Sequence, residues 1–508
     1  MSGAAAMDLV VGLDVGTTSS KAVVYGLDGS PVAGGRAATP WRTVPGTNGA
    51  VPGTELDAND LLAAARQAVS DALAAAPEGQ VMALGVTSMA ESGVLLDGHG
   101  VPVAPVVAWH DTRDAHHVTL LGEEIGAEVF SAATGLPFRS QWSLTKHRWQ
   151  VEANPAAAGA VRRLSIAEWI VRGLGGDEAS DVSLASRTGW LELESRTWWA
   201  ESLAWSGTAQ ALLPPLVTSG TALGRVPATI GLERLTGAVL TTAGQDHLAA
   251  ALGAGAADAG DQFDSCGTAE ALVRSVPAGF SREGVARLTR TGITVGWHIL
   301  DDQWALLGAT QGGLALERVA ALFGGGREAV ARLEAAAETV GSPRVRVDVD
   351  ENAGVTIGQI RDGAGPGDVW LAALQAITDQ IGGINLEMAD VVGPQRRTVA
   401  AGGWARSATL MALKGRAFGD VRRSDVEEPG TRGAALLAAT AAGVASLDDR
   451  WGEGTPAGGG VAVEPMSSSP GAHRGATFDR EIQASGEAPD DGVLRAPITR
   501  GDGPQASA

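Results

Sequence analysis

The chain has 508 residues, more than one ordinary hydrophobic core absorbs, so two domains of comparable size are the starting expectation. Hydrophobic residues make up 44% and charged residues 19%, the balance of a folded globular chain rather than a disordered one. The net charge of −20 excludes the basic face that a nucleic-acid or anionic-membrane partner requires, so a phosphate ligand would have to be held by local devices: backbone N–H groups, Mg²⁺ and a few placed cations.

Cys266 is the only cysteine, which rules out an intrachain disulfide and a cysteine-rich zinc site and fits a reducing compartment. No basic stretch followed by a long apolar run opens the chain, and no segment approaches ~18 uninterrupted apolar residues. A cytoplasmic protein without membrane contact is the expectation.

In chain order, residues 8–13 read as a buried strand, 16–20 as a tight small-residue turn and 21–25 as a second strand. Residues 58–76 and 141–150 read as helices and 81–86 as a strand. The stretch from Pro214-Pro215 to Thr241 shows no long helix and is the candidate domain junction. A strand at 238–242 leads into a small-residue helix at 248–255. Asp261 to Phe263 then runs into Ser265-Cys266-Gly267-Thr268, a Gly-Thr turn like the one near the start, which suggests two related halves. Helices are expected at 311–323, 327–339, 369–390, 404–418 and 432–443, with a strand at 397–401. Residues 452–472 read as a Gly/Pro/Ser-rich loop, 473–484 as one more helix and 486–508 as a disordered tail.

Four constellations could carry chemistry. In Leu13-Asp14-Val15-Gly16-Thr17-Thr18-Ser19-Ser20-Lys21, a strand ending in Asp precedes a Gly turn flanked by hydroxyls. Such a concavity suits phosphate oxygens, with Asp14 able to hold Mg²⁺ and Lys21 able to point a cation at the same phosphates. An ordinary hairpin is the plain alternative, and no Gly-x-x-x-x-Gly-Lys-Ser/Thr loop occurs anywhere. In Ala243-Gly244-Gln245-Asp246-His247, an acid at a strand end beside Gly is placed for a general base, or simply for a helix cap. Gly402-Gly403 after the strand at 398–401 could let a base or ribose lie against the backbone, or could be a plain strand-to-helix turn. Trp109-His110-Asp111-Thr112-Arg113 offers an aromatic face with charged groups, a set suited to a sugar. Its histidines, with His116 and His117, lack zinc spacing. Ser143-Leu144-Thr145-Lys146 matches the Ser-x-x-Lys of acyl-transfer enzymes but has no companion motif.

Taken in this order, the motifs resemble the FGGY family of carbohydrate kinases, over about residues 8 to 485. Ser180-Asp181-Val182-Ser183 and Gly430-Thr431-Arg432-Gly433-Ala434-Ala435 look like further landmarks of that family. The resemblance implies an α/β fold of two ribonuclease-H-like domains, the actin-like ATPase superfold, around a central cleft. Residues 1–238 would be the sugar-binding domain and 239–485 the nucleotide-binding domain. It implies ATP and Mg²⁺, with Asp246 as base and Asp14 near the metal. Thr17, Thr18, Lys21, Gly267 and Thr268 would lie near the phosphates, and Gly402 and Gly403 against the adenosine.

For the acceptor, the resemblance points to Met89, Glu91, Trp109, Asp111, Arg113 and His247, and it divides among branches. Glu91 looks like the acidic residue of glycerol kinases, whereas Trp109-x-Asp111-x-Arg113 looks like pentulose and gluconate kinases. His247 stands where xylulose kinases commonly have Asn. A ketose, a sugar acid or a polyol is expected, in that order. A homodimer is one open assembly. The alternatives are a non-catalytic sugar- or nucleotide-binding regulator on the same fold, and an ATPase of that superfold acting on a protein.

Overall fold

The buried run Leu9–Val15 forms the end of strand β1 (Met7–Val15), which turns back antiparallel into β2 (Ser19–Gly26), and β3 (Pro31–Ala38) adds beyond it. The computed structural model describes residues 7–46, 51–447 and 451. Helix α1 (Ala58–Ala75) starts where the Asp57 side chain accepts the N–H of Asn59 at 2.7 Å, and it buries Leu61, Ala65, Ala68 and Val69. Strands β4 (Gly79–Ser88) and β5 (Val239–Gln245) complete the first sheet in the order β5-β4-β1-β2-β3, with β4 parallel to both β1 and β5.

The second sheet repeats that core. Strands β6 (Asp261–Cys266) and β7 (Glu270–Pro277) form an antiparallel pair around the second Gly-Thr turn. With β8 (Thr294–Trp297), β9 (Gln303–Thr310), β10 (Arg397–Ala401) and β11 (Val421–Arg423), the order is β8-β9-β7-β6-β10-β11. Reading β3-β2-β1-β4-β5 against β9-β7-β6-β10-β11 gives two antiparallel steps followed by two parallel ones in each sheet. The chain is thus a duplicated α/β fold: the paired Gly-Thr turns suggested two related halves, and the family resemblance implied the ribonuclease-H-like form of each lobe.

Two helices join the lobes. α2 (Asp246–Gly253) leaves the first sheet, and α6 (Pro429–Ala441) returns to it after helices α3 (Gly312–Leu322), α4 (Pro366–Val392) and α5 (Ala408–Phe418) of the second lobe. Both joining helices share one apolar cluster with Val10, Ala83 and Val239 of the first sheet and Phe263, Val273 and Val399 of the second. Their alanine richness has a steric reason. Gly12 and Gly85 are register partners on β1 and β4, and a Cβ on either would lie 1.8 Å from Thr431 O or 2.1 Å from Ala434 O of α6. Only bare strand backbone facing a helix of small residues allows that approach.

Most of the expected elements recur within a few residues. The helix expected over 404–418 instead begins as a short 3₁₀ turn, Trp404–Arg406, ahead of α5. The boundary expected between 238 and 239 needs moving, because β5 begins at Val239 and is hydrogen-bonded into the first sheet. The stretch from Pro214 to Thr241 is likewise not a junction: Leu223 N donates to Leu240 O and Val226 N to Ala238 O, and Leu223, Val226 and Leu235 are buried in the first lobe. Proline and glycine interrupt helices there without separating domains. These pairings favour a division after Gly253. The expected loop at 452–472, the helix at 473–484 and the tail at 486–508 lie outside the described residues. Among the described residues, no helix is long and apolar enough to cross a membrane.

Candidate active site

Parallel pairing brings the C-terminal ends of β1, β4 and β5 to one edge, with Asp14 beside Thr87 and Gln245 beside Ser88. Asp14 therefore ends one strand and Asp246 follows another, two carboxylates at the mouth of one sheet. Both are half-buried. Burial pushes Asp14 up to about 7, and the charge of Asp246 adds to the effect while Lys21 opposes it. Among the described residues no donor reaches Asp14 Oδ1, which is shielded from solvent, and its Oδ2 would lie 2.7 Å from a Cβ on Gly430. Burial also pushes Asp246 up to about 7. The N–H of His247, at 2.8 Å from Oδ1, opposes the shift and the charge of Glu91 reinforces it.

A buried polar frame fixes the turn that carries Asp246. Gly244 has φ +71°, and a Cβ there would sit 2.3 Å from Ser183 Oγ. Its carbonyl accepts Thr87 Oγ1 at 2.8 Å, and Ser183 Oγ accepts the N–H of Gln245 at 3.1 Å. Asp181, fully buried, orients this frame by accepting Ser183 N and Oγ, Ser219 Oγ and Thr242 Oγ1 at 2.7–3.0 Å. The Ser180–Ser183 landmark thus holds the strand end from which Asp246 projects.

Glu91 has φ +67°, a left-handed conformation rare outside glycine and worth about 1–3 kcal/mol of strain. Ser143 Oγ and Arg163 Nη2 both donate to its carbonyl and hold the backbone in that state. Its carboxylate is buried and accepts Arg187 Nε at 2.8 Å and Gln141 Nε2 at 3.2 Å. His247 lies in the field of the same Glu91–Arg187 pair, and burial lowers it to about 4, so it is a neutral ring at neutral pH. Met89 reaches the turn after β1: Thr17 Oγ1 donates to its sulfur at 3.8 Å, and Trp109 Nε1 donates to Thr17 Oγ1 at 3.1 Å. Thr17, Met89, Trp109, Glu91, His247 and Asp246 therefore belong to one neighbourhood.

Asp111 and Arg113 are engaged with each other and with neighbouring groups. Asp111 accepts Thr54 N at 2.8 Å and the Arg113 guanidinium at 2.8–3.1 Å, and Arg113 also pairs with Glu55 at 2.8 Å and lies over the Trp149 ring. The pair clamps the loop behind Trp109. His117 pairs with Glu152 at 2.8 Å, and among the described residues the 110–117 segment gathers no set of ligands able to share an ion. Ser143 and Lys146 are structural as well, since Lys146 Nζ donates to Asp111 O at 2.6 Å and to buried Asp114 at 3.3 Å.

On the phosphate side, Thr18 is exposed at the turn. Lys21 is not a free cation: its Nζ pairs with Glu428 at 2.8 Å, just ahead of α6. Lys21, Gly402, Gly403, Arg406, Arg423 and Ser424 line a cavity of about 480 Å³ between the lobes. Gly402, at φ +104°, lies where a Cβ would be 2.6 Å from Cys266 O, so the Gly402 loop rests directly on the strand before Gly267 and Thr268. Beneath that turn, buried Lys414 bonds Asp264 and Glu270 and lies 3.3 Å from Cys266 Sγ. These three are the described residues whose ligand atoms could share an ion, and the ammonium already bridges them. Trp404 turns toward Trp370, with ring centroids 6.0 Å apart.

Arg187, Gln141 and Glu428 were not anticipated as parts of the site, and Asp181 was noted only as part of the Ser180–Ser183 landmark. The one local signal was Arg187 following closely on the Ser180–Ser183 landmark, since an arginine in a buried stretch needs a carboxylate partner.

Residues 9–253 match the model of the N-terminal domain of the FGGY family of carbohydrate kinases. A xylulose kinase of Streptomyces rubiginosus is 30% identical over 455 residues, covering 87% of this chain and 90% of its own. A glycerol kinase of Janthinobacterium sp. strain Marseille is 32% identical over 220 residues, covering 41% of this chain and 43% of its own. The crystal structure of xylulose kinase from Rhodospirillum rubrum superposes with a TM-score of 0.77 at 26% identity, covering 87% of this chain and 92% of that one. Two duplicated lobes, a carboxylate at the end of each of two strands and near full-length similarity agree: the chain belongs to the FGGY family of carbohydrate kinases, phosphotransferases with an alcohol group as acceptor.

Proposed function

We propose that this kinase transfers the γ-phosphate of MgATP to a hydroxyl of a small ketose, sugar acid or polyol, with Asp246 as the general base. The observation that carries the reading is the pair Asp14 and Asp246, each raised to about 7 and set together at the cleft. A base with that value is half ionised near neutral pH, where proton abstraction is most effective. An acceptor seated against Glu91, His247 and Trp109 would present one hydroxyl to Asp246, which takes its proton as the oxygen attacks the phosphorus. Asp246 gains the proton, and the new P–O bond forms as the bond from the γ-phosphorus to the β–γ bridging oxygen breaks, with ADP leaving on that oxygen's electron pair.

The unpartnered Asp14 Oδ1 fits a divalent cation, an ion that would neutralise phosphate charge in the transition state. Thr18, Gly267 and Thr268 are then the phosphate-side backbone, and the cavity at Gly402 and Gly403 the place for adenosine. Asp111 and Arg113 support Trp109 rather than touching the acceptor. ADP release with D-xylulose, D-gluconate and glycerol tests the reading. Turnover with one of them is expected, whereas nucleotide binding without turnover on a wider panel of ketoses, sugar acids and polyols would leave a non-catalytic binder.

A further inference from the structure

We propose that Arg187 is a positioning residue that ties the acceptor-side carboxylate Glu91 to the second lobe, so that acceptor geometry and lobe position are set together. The inference rests on the reading of Glu91 as an acceptor contact. Arg187 follows the short helix Val182–Ala185 of the first lobe, and its side chain is 10% exposed. Its guanidinium lies over the Trp142 ring at 5.1 Å, which fixes its plane. Nε and Nη2 face Glu91 Oε1 at 2.8 and 2.6 Å, while Nη1 donates to Thr294 Oγ1 at 2.8 Å.

Thr294 is the first residue of β8, the edge strand of the second sheet. Its hydroxyl spends its own hydrogen on Leu307 O at 3.1 Å, so toward Arg187 it acts as acceptor. The contact does not stand alone. Val295 N donates to Gly135 O at 2.7 Å and Trp297 N to Ser186 Oγ at 3.0 Å, so the first lobe covers the open edge of β8 around Arg187. A guanidinium has donors pointing in several fixed directions, and the two ends of this one are used on different lobes. A lysine ammonium at the same position could serve one end only.

The charged and titratable groups around this link include Glu91, Arg139, Lys146, Arg163, His247 and Asp246. Arg187 is one of the charges that favour the ionised form of Asp246, so the same link that orients Glu91 also reaches the base. Movement of β8 would shift the guanidinium and, with it, the carboxylate on which an acceptor hydroxyl rests.

The test compares wild type with Arg187→Met, Arg187→Lys and Thr294→Val, using whichever of D-xylulose, D-gluconate and glycerol turns over fastest. Arg187→Met is expected to lower kcat/KM for the acceptor about 100-fold, with KM for MgATP within threefold, and to move the acid limb of the pH profile upward. Arg187→Lys should restore the limb but not the acceptor KM. Thr294→Val leaves the charge pair intact and guards against a misfolded Arg187 variant. It should bind the acceptor alone within about twofold of wild type, yet lose the change in acceptor affinity that MgAMP-PNP causes. Unaltered coupling in Thr294→Val, or full recovery in Arg187→Lys, would overturn the proposal.

If no acceptor of the wider panel of ketoses, sugar acids and polyols reacts, the functional reading fails on its own and hydrogen exchange decides the link. MgAMP-PNP should slow exchange at both 294–297 and 89–92 in wild type but only at 294–297 in Thr294→Val. Equal slowing at both segments in both proteins would refute it.

Discussion

Asp246→Asn separates two consequences of one carboxylate. In the folded chain Asp246 is raised from 3.8 to about 7, chiefly by burial. A shift of about three units corresponds to ~4 kcal/mol for a fully shielded group, and partial exposure reduces it to about 2 kcal/mol. Because the folded value lies above the unfolded one, the ionised form opposes folding. That cost is absent below about 4, grows as pH rises from 3.8 to 7 and is complete above 7. Asn carries no charge, so at pH 8 in EDTA the variant should melt higher by roughly 2–4 °C, allowing a small shift per kcal/mol for a chain this long. The gain should shrink as pH falls toward 4. In the same protein, phosphorylation should fall about 10³-fold while ATP binding persists. Scanning calorimetry across pH and single-turnover assays check both halves. A melting temperature at pH 8 equal to or below wild type would refute the account of a strained base, and wild-type turnover would remove Asp246 from the chemistry.

The pH profile of kcat/KM should bend near 7 and fall tenfold per unit on the acid side, since Asp246 must be ionised to take a proton; a bend near 4 would contradict the raised value. Gly402→Ala places a Cβ 2.6 Å from Cys266 O at a φ of +104°, so KM for MgATP should rise about tenfold with the acceptor KM unchanged, measured by initial rates. Asp181→Ala removes an acceptor of four hydrogen bonds in a buried frame. It should cost about 2–4 kcal/mol in urea unfolding and lower kcat by loosening the Gly244–Gln245 turn.

That Asp14 and Asp246 stand at strand ends was legible in the sequence, because at each an apolar strand gives way to a glycine turn, a local pattern. Two related halves followed from the repetition of that pattern around Gly267, and the ribonuclease-H-like fold from the family resemblance. What escaped was whatever depends on distant residues meeting. Arg187 and Glu91 lie 96 positions apart, and Lys21 and Glu428 lie 407 apart. Nothing in the run Gly16–Lys21 announces that its lysine is paired. In Trp109-His110-Asp111-Thr112-Arg113 the sequence likewise hides that its charges are paired, with Glu55 and the Thr54 N–H from another strand brought against them. The domain boundary was set too early for a related reason. β5 enters the first sheet through a parallel crossover, and only the register with β4 assigns it there.

The packing of α6 across Gly12 and Gly85 also governs how the chain can be made. The first lobe borrows this helix from the far end of the described sequence, so during synthesis β1 and β4 wait, with their glycine backbones uncovered, until nearly the whole chain has emerged. A fragment ending near Gly253 would hold every strand of the first sheet yet lack its covering layer, and would present an apolar face suited to aggregation or to a chaperone. A separately supplied peptide spanning 429–441 is the natural ligand for that bare face, which makes the lobe a candidate for assembly from two pieces.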